Sequence, residues 1–79
     1  MKKFKIKLTT IEDVKSFVQA ALELRCIANV HNSGNIIKVV NASSIMGLFS
    51  LNLSEYLDVE LDEEIPEEEI NETFGKWRV

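Results

Sequence analysis

Seventy-nine residues with 46% apolar content and a net charge of −4 describe one small folded domain over residues 1–79 rather than a disordered chain or a multidomain enzyme. A single proline and three glycines exclude a loop-rich scaffold, and one cysteine excludes an internal disulfide. No uninterrupted apolar run approaches the roughly 18 residues a membrane span needs.

Phe4, Ile6 and Leu8 alternate with Lys3, Lys5 and Lys7, the period of a half-buried strand with a basic outer face. These lysines stand where a secretory signal would need its apolar core. With the lone Cys26, they give the expectation of a cytoplasmic protein. Thr9 or Thr10 can cap a following helix, with Glu12 or Asp13 in its first turn. Ile11, Val14, Phe17, Val18, Ala21 and Leu22 recur at helical spacing as far as about Leu24.

A second strand is expected where Cys26, Ala28 and Val30 alternate with Ile27, Asn29 and His31. Ser33-Gly34 supplies a tight turn, because glycine tolerates the positive φ that hairpins require. A third strand is expected over 35–40, with Ile37 and Val39 in the core. Asn41 and Ser43 are helix-start residues, and a short second helix is placed from Ser44 to about Asn52. A fourth strand covers 56–61, with Leu57, Val59 and Leu61 on one face. Pro66 suits the first turn of a third helix, and Glu67, Glu68 and Glu69 suit the positive end of its dipole. Ile70, Phe74 and Trp77 then fall on one helical face, with Gly75 as a stop. The order β-α-β-β-α-β-α, with hairpin-joined strands, predicts an α+β two-layer sandwich: a four-stranded antiparallel sheet covered on one face by three helices.

Charge is unevenly divided. Residues 1–54 carry seven Lys/Arg against three Asp/Glu, whereas 55–79 carry ten Asp/Glu against two Lys/Arg. The acidic end argues against a nucleic-acid partner, and folded onto a basic sheet it compensates charge. Asp58, Glu60, Asp62, Glu63, Glu64, Glu67, Glu68 and Glu69 read as a solvated acidic face. They lack calcium-loop spacing, and no phosphate loop or nucleophile elbow occurs. His31 reads as a solvated turn histidine with no second histidine or cysteine near it, so no metal, cofactor or membrane partner is expected. Phe4, Phe17 and Phe74 read as core, and Trp77 as a packing anchor.

The run Ser44-Ile45-Met46-Gly47-Leu48-Phe49-Ser50-Leu51, supported by Phe17-Val18 and Asn32-Ser33-Gly34, resembles the HPr family, phosphocarriers of the bacterial sugar phosphotransferase system. The resemblance implies an HPr-like open-faced sandwich. It also implies a phosphoryl-accepting histidine at the start of the first helix, within a pattern like Gly-Leu-His-x-Arg-Pro. Aligned on Phe17-Val18, that histidine is replaced by Thr10, the arginine by Glu12 and the proline by Asp13, after a shortened loop. Thr10 is thus a degenerate active-site position, because threonine forms no labile phosphoramidate and two carboxylates repel an incoming anion.

The family's regulatory serine, modified by a dedicated kinase in Gram-positive members, corresponds to Ser44. The lysine commonly preceding it is Ser43 here. Ile45, Met46 and Phe49 match the apolar patch through which family members meet their partners, while Leu48 and Leu51 face inward. The expectation is a non-enzymatic, HPr-like regulatory or adaptor module acting on proteins of the phosphotransferase or catabolite-regulation type. The second reading is a small structural domain that kept the fold and self-associates through the second helix.

Overall fold

The computed structural model describes residues 2–24 and 27–79. The chain runs β1 (Lys2–Ile6), α1 (Ile11–Glu23), β2 (Ala28–Asn32), β3 (Val40–Asn41), α2 (Ile45–Phe49), β4 (Leu57–Leu61) and α3 (Glu67–Phe74), closing with a 3-10 turn at Gly75–Trp77. The strands form one antiparallel sheet in the order β1-β4-β2-β3. The register places Phe4 and Val30 on either side of Val59, and Ile6 and Asn32 on either side of Leu57. Period-two alternation therefore turns Phe4, Ile6, Ala28, Val30, Leu57, Val59 and Leu61 toward the helices, and all seven are buried.

The helices supply the opposite wall. Val14, Phe17 and Ala21 of α1, Leu48 of α2, and Ile70 and Phe74 of α3 complete the core. Its centre is aromatic: Phe74 lies 5.5 Å from Phe4 and 5.2 Å from Phe17, and Phe17 meets Trp77 edge-on at 5.7 Å. Tilted and edge-on ring contacts of this kind add to the burial of apolar area. After α3 the chain tightens into the 3-10 turn, which keeps Trp77 on the buried side. It then runs back along β1, where Lys7 N–H donates to Trp77 O at 2.9 Å and Val79 N–H to Lys5 O at 3.1 Å. This return seals the outer edge of β1, which would otherwise present unpaired backbone groups.

The basic and acidic parts of the sequence meet on the face of the sheet turned away from the helices. Asp58 accepts a hydrogen bond from the Ser33 hydroxyl at 3.0 Å and lies 3.3 Å from Lys5 and 3.9 Å from Lys3. On the helix side Glu67 is bound by the Arg78 guanidinium and lies 3.5 Å from Lys2. The arginine hydrogen bond holds the Glu67 carboxyl below its ordinary pKa. Burial pushes the Asp58 carboxyl up, but the Ser33 hydroxyl and the Lys5 and Lys3 charges outweigh it and set its pKa below the usual value. A folded-state pKa depressed in this way contributes stability above the unfolded pKa, and that contribution is lost as pH falls through the folded value. Unfolding free energy, followed by denaturant midpoints below about pH 4, is therefore expected to fall less steeply in Asp58→Asn than in the wild type.

Four expectations are corrected. The third strand occupies only Val40–Asn41, and Ile37 and Val39 are 94% and 48% exposed rather than core. Local hydrogen bonds hold the preceding segment off the sheet. Asn35 N–H closes a turn onto Asn32 O with Gly34 at φ 81°, the Asn35 side chain takes the Ile37 N–H, and Lys38 reaches Ser50 O. Second, Ile11 and Leu22 are exposed, because the face α1 buries is narrower than its apolar stripe. Third, Asp58 is buried and paired, so the acidic face is not solvated throughout. Fourth, His31 is a β2 residue, 1% exposed, and not a solvated turn residue. The strand extends past it to Asn32 and places it opposite Asp58, with Glu60 diagonal to it. The Cys26 position of the expected second strand lies outside the described residues.

Candidate functional site

The functional positions read from the sequence lie at the start of α1 and along α2 from its cap to its last residue. Thr10 is extended and caps α1, its hydroxyl accepting the Asp13 N–H at 3.0 Å. Asp13 reaches back to the Thr9 hydroxyl at 2.9 Å and the Thr9 N–H at 3.1 Å, a reciprocal cap that satisfies donors a helix start leaves open. The Thr9 hydroxyl, followed by the Thr9 N–H, draws the Asp13 carboxyl below its ordinary pKa and keeps it ionised. The α1 terminus thus carries a fixed negative charge.

Ser44 caps α2, and its exposed hydroxyl accepts the Gly47 N–H at 3.1 Å. Ser43 is occupied differently, its N–H and hydroxyl both bound to the Asn41 side chain. Gly47 permits the close approach of α2 to β3, since a Cβ there would stand 3.0 Å from Val40 Cβ. The helix spans five residues and stops short of Asn52. Leu48 and Leu51 are buried as expected, and Met46 and Phe49 are 77% and 44% exposed. Ile45 is half-buried, packed against the core rather than fully presented with them.

Between the α1 start and the α2 end lies a groove of about 350 Å³, walled by Leu8, Ile11, Val14, Phe49 and Leu53 and rimmed by Lys7, Thr9, Thr10 and Ser54. It brings Thr10 and Phe49 to one place, and leaves Ser44 and Met46 outside its lining. Lys7 Nζ spans it to Leu53 O at 3.1 Å.

The residue that sequence reasoning missed is Asn32. Its buried side chain donates to Asn52 O at 2.7 Å and accepts the Asn52 N–H at 3.0 Å, so one amide imitates a strand partner and pins the loop after α2. The Asn52 side chain in turn binds the Ser54 N–H and hydroxyl. The available signal was register: Asn32 continues the inward series Ala28, Val30, where a polar side chain demands a partner.

His31 is also buried, its Nδ1 2.8 Å from Asn32 O, a contact that a carbonyl oxygen makes only with a protonated Nδ1. Its Nε2 has no hydrogen-bond partner among the described residues and lies 3.7 Å from Glu60. Among the described residues no group of three or more His, Cys, Asp or Glu side chains is placed to hold a metal ion. No helix among them is long and apolar enough to cross a membrane.

No protein-family model matches this sequence, and no curated protein matches it. Solved structures do. HPr-C-His from Thermoanaerobacter tengcongensis superposes with a TM-score of 0.74 at 27% identity, over 95% of this chain and 89% of that one. The phosphocarrier protein HPr from Bacillus anthracis str. Ames superposes with a TM-score of 0.69 over 98% and 96%, at 19% identity, a likeness of fold. Sheet order and the three helices on one face define an open-faced α+β sandwich of the HPr type. The chain is thus HPr-like in fold.

Proposed function

We propose that this HPr-like protein is a non-carrier: a cytoplasmic regulatory or adaptor module, without enzymatic activity, that works through protein contact at α2. The supporting observation is the exposed pair Met46 and Phe49, with Phe49 also forming a wall of the groove at the α1 start. Exposed methionine and aromatic side chains beside a groove suit an apolar anchor from a partner, because the thioether adapts its shape to what it meets. The solved structures of similar fold include a phosphocarrier protein. That likeness supports a protein partner in general terms, and we take the partner to be of the phosphotransferase or catabolite-regulation class.

The α1 terminus supports the other half of the reading. A phosphoryl relay needs a nucleophile that forms a labile bond and positive charge to receive the phosphate. Here Thr10 Oγ1 is engaged as a cap, Asp13 is held ionised beside it, and Glu12 adds a second carboxylate. Lys7, the cation in the groove lining, is turned to Leu53 O. Ser44 is the candidate for modification. Its hydroxyl is exposed, and an added phosphate finds the N–H of Gly47 already directed at Oγ.

Incubation with phosphoenolpyruvate and the first enzyme of a phosphotransferase system is expected to leave the mass unchanged, and transfer of phosphate to any residue overturns the reading. Incubation with an HPr-type kinase and ATP is expected to add one phosphate that Ser44→Ala abolishes. No addition, or one that survives the substitution, removes Ser44 as a switch. Sedimentation tests the occupant of the α2 surface. A monomer at all concentrations supports a different protein as partner, whereas a dimer broken by Met46→Asp transfers the role to self-association.

A further inference from the structure

We draw no further inference here: the strongest candidate, the exposed apolar segment of Ile36, Ile37 and Val39 leading into β3 at the free edge of the sheet, is unpartnered and nothing in the structure shows what covers it.

Discussion

Replacement of Phe74 by alanine is expected to cost about 3–5 kcal/mol and to bring the protein close to unfolding at 25 °C. The ring is fully buried and touches both Phe4 of β1 and Phe17 of α1, so its loss opens a cavity where sheet and helices meet. Neighbouring elements cannot close in to fill it. α3 is held at one end by the Glu67–Arg78 pair, and the chain beyond it is held by backbone hydrogen bonds to β1. A domain of 79 residues has a total stability of roughly 4–12 kcal/mol at ~0.05–0.15 kcal/mol per residue, so this one deletion removes a large share. Denaturant midpoints read by circular dichroism measure the loss. Met46→Ala, at a side chain 77% exposed, serves as the control and is expected within about 0.5 kcal/mol of the wild type. A Phe74→Ala loss as small as the control's contradicts an aromatic centre to the core.

The parts of the fold legible in the sequence are those whose pattern is set by one repeating contrast. β1 and β4 alternate because one face meets the helices and the other carries paired charge, so Phe4, Ile6, Leu57, Val59 and Leu61 were identifiable by period alone. The α1 start was legible because its cap is local, with Thr10 and Asp13 three residues apart. Ile70, Phe74 and Trp77 were legible although the helix ends at Phe74, since the 3-10 turn keeps Trp77 on the same side. What failed depends on partners distant in the chain. The apolar alternation over 35–40 does not reveal that Asn35 and Lys38 draw the segment away from the sheet. The surroundings of His31 come from β4, and sequence proximity to Gly34 suggested a turn instead.

The candidate site divides the same way. Ser44, Met46 and Phe49 were identifiable from one contiguous motif, and the structure leaves all three exposed. The groove was not identifiable, because its lining comes from two stretches far apart in the chain, residues 7–14 and 49–54. Its shape depends on where the loop after α2 is held, and that position depends on Asn32.

Asn32→Asp is accordingly expected to destabilise the protein by about 2–3 kcal/mol at neutral pH despite its near-identical volume. The aspartate keeps an acceptor for the Asn52 N–H but loses the donor to Asn52 O, setting a carboxylate against a carbonyl at a side chain that is 8% exposed. Burial and the facing oxygen both disfavour the ionised form, so the folded variant holds its proton more tightly than the unfolded chain does. A raised folded-state pKa gives a contribution that is present at low pH and lost as pH rises. The stability difference between variant and wild type should therefore narrow on acidification, as the protonated carboxyl regains an O–H to offer Asn52. Comparison with Asn32→Ala separates this charge effect from simple loss of the clamp, since the alanine difference should stay flat with respect to this titration. Amide exchange locates the change: Asn52 and Ser54 should lose protection in Asn32→Asp at neutral pH, while Val30 and Val59, in the middle of the sheet, keep theirs. A pH-independent difference, or an even loss of protection across the sheet, would show that the loop beneath Phe49 and Leu53 is held by something other than this side chain.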